Sequence, residues 1–176
     1  MTEYPIDPDA EYRARFGELE FQREVEEAAE QLERNTRTLA DVFIEYMERG
    51  DEIEVEVGPN RWTGFVVEVG DDLVTIDFDE GRVDLALGAV SLARVSSATA
   101  AGGRVHRIAH CPSFIARLRD LTGANAGTIV EIGGVGLPTL TGQLRAVAES
   151  HVEMTTTSGE RYVVSLGAIG FVSTSP

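Results

Sequence analysis

Residues 63–90 and 141–169 of this chain follow nearly the same pattern, and an internal repeat constrains a fold more tightly than any single motif. Thr63-Gly64 returns as Thr141-Gly142, Val69 as Val147, Val74 as Val152 and Gly81 as Gly159. After a one-residue slip, Leu87-Gly88-Ala89-Val90 returns as Leu166-Gly167-Ala168-Ile169. A chain of 176 residues duplicated in this way holds two small modules in tandem.

Each module reads as β structure. Ile53, Val55 and Val57 alternate with Glu54 and Glu56, as in a strand with one buried and one wet face. Gly58-Pro59-Asn60 makes a turn, and apolar runs follow over 62–69, 73–78, 82–87 and 89–95. Gly70-Asp71-Asp72, Asp79-Glu80-Gly81 and Gly88 separate them. Five short strands with tight connections predict a small, strongly bent antiparallel barrel over 50–95, with Trp62, Phe65, Val67 and Val69 in its core or at its edge. Residues 128–132, 140–147, 151–155, 161–165 and 168–172 repeat the set, with Tyr162 in the matching strand. Ser113 caps a short helix over 114–121, closed by Gly123, so 113–173 forms the second barrel with its helix and 96–112 the linker.

Residues 18–49 read as helix, preceded by a flexible N-terminus over 1–17. Val25, Leu32, Leu39 and Tyr46 recur at heptad spacing, with Phe21, Ala28 and Val42 beside them. Thr38 followed by Asp41 resembles a capping box, which predicts a break between Asn35 and Thr38. Two readings stay open for the row from Val25 to Tyr46: an interface with a partner or a second copy, or a face folded back on the chain's own barrels.

A helix, a strand 51–57 entered from a glycine, a second strand opening at Gly64, a third carrying Leu73-Val74-Thr75-Ile76, and a last hairpin with Leu87-Gly88-Ala89-Val90 resemble the Sm-like fold of the RNA chaperone Hfq and its relatives. The second copy presents Gly142, Val152-Glu153-Met154 and Leu166-Gly167-Ala168-Ile169 at the matching places. The whole looks like a group of tandem Sm-like proteins of high-GC bacteria. The resemblance implies a mainly β fold with helices (α+β), in which an N-terminal long helix precedes two tandem Sm-like, five-stranded, strongly bent antiparallel β-barrels, each preceded by a helix. It also implies assembly through edge strands, and single-stranded RNA held by basic and aromatic side chains. The family's basic Lys-His pair would fall at Leu87-Gly88 and Leu166-Gly167, and neither copy keeps it. Edge pairing uses backbone groups and survives that change, so the two barrels are expected to pair with each other and leave one free edge each.

Charge decides between partners. Thirty acids face fifteen basic residues, all of them arginine, for a net charge of −15. Residues 1–50 and 51–95 each carry a net −8, while 96–176 carry +1. No carboxylate lies between Asp84 and Asp120, where Arg94, Arg104, Arg107, Arg117 and Arg119 fall. A polyanion would meet the chain there, so Arg104, Arg107, Arg117 and Arg119 are the candidate RNA site. The competing reading has these arginines docking the linker and second helix onto the acidic first barrel or onto the acidic long helix.

Catalytic and metal readings find little purchase. His106, His110 and Cys111 are zinc-type ligands, but Pro112 and the glycines before them oppose a shared helix face, and the remaining histidine, His151, is distant. Ser113 near His110 is accounted for as a helix cap. The stretch Gly133-Gly134-Val135-Gly136-Leu137-Pro138 reads as a longer hairpin loop than 58–61, and Asp71, Asp72, Asp77, Asp79, Glu80 and Asp84 as a charged surface. No cofactor or metal is expected. A single cysteine excludes an intrachain disulfide, no stretch approaches the roughly 20 apolar residues of a membrane span, and the acidic start lacks the form of a signal peptide. The sequence therefore predicts a cytoplasmic, non-catalytic homo-oligomer that binds a protein partner, with RNA binding as the alternative.

Overall fold

The structure, a computed structural model, describes residues 8–98, 111–123 and 127–174. The chain divides at Thr38 into two compact units. The first contains α1 (Pro8–Thr36), on which Phe21, Val25 and Leu32 are exposed. The Thr36 hydroxyl donates back to the Leu32 carbonyl at 3.0 Å, Arg37 and Thr38 leave the helical path, and α2 (Leu39–Arg49) begins. The N-terminal long helix expected over 18–49 is thus two helices in different units, parted where the Thr38 to Asp41 capping box predicts a break.

The second unit holds α2, then β1 (Glu52–Val57), β2 (Asn60–Val69), β3 (Leu73–Phe78), β4 (Gly81–Ala86) and β5 (Leu92–Ser97). After α3 (Phe114–Thr122) come β6 (Val130–Gly134), β7 (Leu137–Val147), β8 (His151–Thr156), β9 (Arg161–Ser165) and β10 (Phe171–Thr174). Short 3-10 turns at Leu87–Ala89 and Leu166–Ala168 part the last two strands of each repeat, since each Leu-Gly-Ala closes a backbone bond, from Val90 to Leu87 and from Ile169 to Leu166.

All ten strands form one antiparallel sheet in the order β5-β1-β2-β3-β4-β10-β6-β7-β8-β9. This overturns the expectation of two separate five-stranded barrels. The physical reason is β10, which pairs on one side with β6 of its own repeat and on the other with β4 of the first repeat. Backbone groups that a separate barrel would leave as an edge are spent joining the repeats.

Two cores result, and they exchange residues across the junction. The first gathers Phe43, Ile53, Val55, Ile76 and Leu85 but also Phe171 of β10; the second gathers Phe114, Leu118, Ile132 and Met154 but also Leu73 of β3. Trp62 and Phe171 meet edge to face at 4.7 Å between ring centroids.

Two sequence signals resolve into geometry. The register of β2 on β3 shifts between Val66 and Glu68, so Val66 lies opposite Ile76 on the face of the first core and Glu68 opposite Thr75 on the other face, while Phe65 is exposed. This bulge corrects the alternation that placed Phe65 in the core. The repeated Thr-Gly pair is a steric requirement: a Cβ on Gly64 would sit 2.0 Å from the Asp77 carbonyl oxygen, and one on Gly142 would sit 2.2 Å from that of Thr155. The Gly133 to Pro138 stretch is no long loop, because Gly134 pairs with Leu137 around a two-residue turn with Gly136 at φ 77°.

Candidate interaction surface

The junction between repeats shows how this sheet binds another copy of its own module. Phe171 pairs with Leu85, Val172 with Asp84, Ser173 with Val83 and Thr174 with Arg82. The strand pairing is extended by the Ala86 N–H, which donates to the Gly170 carbonyl at 2.9 Å. Gly170 is tightly enclosed, since a Cβ there would meet Val57 at 2.6 Å and Ala89 at 2.8 Å.

Helix α3 locks the junction from the second repeat onto the first. Ser113 caps it by accepting from the Ala116 N–H, and the Phe114 N–H donates to Asp72 Oδ1 at 3.0 Å. Acid near the first turn also suits the positive end of the helix. One turn on, Arg117 Nη2 donates to Glu68 Oε2, and Arg117 Nε lies 3.3 Å from Asp84 Oδ2 as an ion pair outside hydrogen-bond geometry. The bulge at β2 is what turns Glu68 toward this arginine. Asp84 also accepts from the Thr75 hydroxyl at 2.6 Å. Burial raises the Asp84 pKa above the ordinary carboxylate range, against the opposing effects of Thr75 and Arg117. Cys111 sits beside the same cluster, and burial together with the Glu68 charge pushes its thiol up to about 12. A thiol held protonated and an arginine paired with two buried carboxylates describe a structural joint.

The sheet ends at β5 on one side and at β9 on the other. These are the counterparts of β10 and β4: the repeat sets Leu92 in the place of Phe171, and Arg161, Tyr162, Val163 and Val164 in the places of Arg82, Val83, Asp84 and Leu85. Of the eight exposed large hydrophobics among the described residues from Leu39 onward, Leu92, Val95, Tyr162 and Val163 lie on these two strands and Leu39 opens α2. Val163 is 72% exposed, although its strand is one of the most apolar. Apolar side chains beside unpaired backbone groups are the opposite of a protected edge.

The residues singled out from sequence are scattered. Val25 and Leu32 lie exposed on α1, whereas Leu39 is exposed on α2 and Tyr46 packs against the first core, its ring edge to face with Phe43 at 6.3 Å. Arg117 is held by Glu68 and Asp84, which is the docking role open to it from sequence, and Arg119 is exposed on α3. Arg104, Arg107, His106 and His110 lie outside the described residues. Edge residues Leu92, Val95 and Val163 were missed, although comparing repeats would find them: Val163 stands where Asp84 stands. Among the described residues no group of histidine, cysteine and carboxylate side chains is placed to hold a metal, and no helix is long and apolar enough to cross a membrane.

No family model, curated protein or solved structure matches the chain.

Proposed function

We propose that this protein is a non-catalytic, oligomerising adaptor of Sm-like descent that acts in the cytoplasm, its copies joining head to tail through β5 of one and β9 of the next. The observation that carries this reading is the β4–β10 junction, which is the same pairing made once inside the chain between the counterparts of the two free strands. Transferring its register sets Leu92 opposite Val164, Ala93 opposite Val163, Arg94 opposite Tyr162 and Val95 opposite Arg161. Such an interface is heterologous, so it closes into a ring if the rotation per copy permits and otherwise runs on as a filament. Val25 and Leu32 on α1 then serve a protein partner, because the strand edges are consumed by assembly. The net charge of −15 favours a protein over a polyanion in that role.

Sedimentation velocity of the full chain over a wide range of concentration tests the reading. A discrete species several chains in size supports it, and a monomer throughout that range contradicts it.

A further inference from the structure

The two kinds of junction differ in chemistry at matched positions. Aligning the caps Thr38 and Ser113 sets Val42 of α2 in the place of Arg117 of α3, and Phe43 in the place of Leu118, both of which are buried in their respective cores. Counting along the repeat sets Ala146 in the place of Glu68 and Val163 in the place of Asp84. The bulges confirm the frame, since the register of β2 on β3 shifts between Val66 and Glu68 and that of β7 on β8 between Leu144 and Ala146. So the helix position that carries a cation in the internal junction is apolar in α2. Both strand positions that face it as carboxylates are apolar too. Three matched positions change from charged to apolar together, with Val163 left 72% exposed on a free edge.

We infer that α2 of one copy crosses the intermolecular junction and sets Val42 against Ala146 and Val163 of the next, an apolar key in the place where the internal junction uses Arg117, Glu68 and Asp84. This rests on the head-to-tail reading above and adds what selects the partner strand. Val42 set against Glu68 and Asp84 would leave both carboxylates without a cation, and Arg117 would be stranded against Ala146 and Val163. Each helix therefore rejects the other's site, because a buried charge without a partner costs more than its pairing returns. The keying matches β10 to β4 and β9 to β5, so that neither strand takes the other's place.

The test uses full-length protein and light scattering after size exclusion. Val163→Asp alone places a carboxylate against Val42, and it should weaken self-association by roughly 100-fold or more while leaving the circular dichroism of the chain unchanged. Val42→Arg combined with Val163→Asp recreates the Arg117–Asp84 pair across copies, and it should restore assembly. That restored assembly should weaken with added salt, unlike the wild type. An oligomer indifferent to Val163→Asp overturns the key while leaving head-to-tail assembly standing, as does a double variant no better associated than the single one. A wild-type chain that is monomeric removes the reading beneath it.

Discussion

Arg117 Nε lies 3.3 Å from Asp84 Oδ2 across the line where the two repeats meet, so a helix belonging to the second repeat is pinned by charge to a strand of the first. Glu68 completes the contact from β2, and Thr75 holds the other oxygen of Asp84. These groups add a side-chain lock to the β4–β10 pairing that joins the repeats in one sheet.

Replacing Arg117 with methionine should show that dependence. Glu68 and Asp84 are both buried, and removing their cation strands two carboxylates. The expected loss is about 3 kcal/mol, read as a lower urea midpoint with an unchanged slope. A variant as stable as the wild type would mean that the pair contributes nothing net.

Acidity bears on the same cluster. The fold raises the Asp84 pKa, so it binds that proton more tightly than the unfolded chain does. The stability contributed by this group is therefore present at low pH and falls as pH rises from the ordinary carboxylate value of about 3.9 toward the raised one. Asp84→Asn keeps an acceptor for Thr75 and removes the titration. Its melting temperature should vary less with pH across that window than the wild type's, and parallel curves would refute the assignment.

The glycines at the strand crossings allow a sharper mutational contrast. Gly64→Ala and Gly142→Ala each drive a methyl group into a backbone carbonyl, at 2.0 Å and 2.2 Å respectively. Each should cost about 3 kcal/mol in a denaturant titration. Gly88→Ala, with nothing within 4 Å of the added carbon, should cost less than 1 kcal/mol by the same measurement.

Cys111 should be a poor nucleophile while the chain is folded. With its thiol pushed up to about 12 by burial and by Glu68, its thiolate population at neutral pH falls roughly a thousandfold below that of a free cysteine. Alkylation in buffer should be slower than in urea by at least that factor. Equal rates would place Cys111 in solvent.

How much of this could be read from the chain is clear from particular residues. The repeat, the strand alternation of 53–57, the Ser113 cap and the break before Leu39 were all legible, because each is a local property of backbone and side chain. The β4–β10 pairing was not, since it joins segments far apart in sequence through N–H and C=O groups that every residue carries. Phe65 does not share a face with Val69, because a one-residue bulge between Val66 and Glu68 shifts the alternation that the sequence suggests. Arg117 was open to a polyanion or to docking on the acidic part of the chain, and its partners could not be named because they lie far off in sequence, on β2 and β4. The candidate surface was legible in principle, through the contrast of Asp84 with Val163 and of Arg117 with Val42, but only once the sheet said which matched residues face each other.

Light scattering coupled to size exclusion on the full chain, with and without total cellular RNA and with absorbance followed at 260 and 280 nm, decides whether copies of this chain assemble. A discrete oligomer of the 19.1 kDa chain, free of nucleic acid and unmoved by salt, is the expected result. A 19.1 kDa monomer at every concentration would contradict it, and so would a peak that carries RNA at low salt and loses it at high salt.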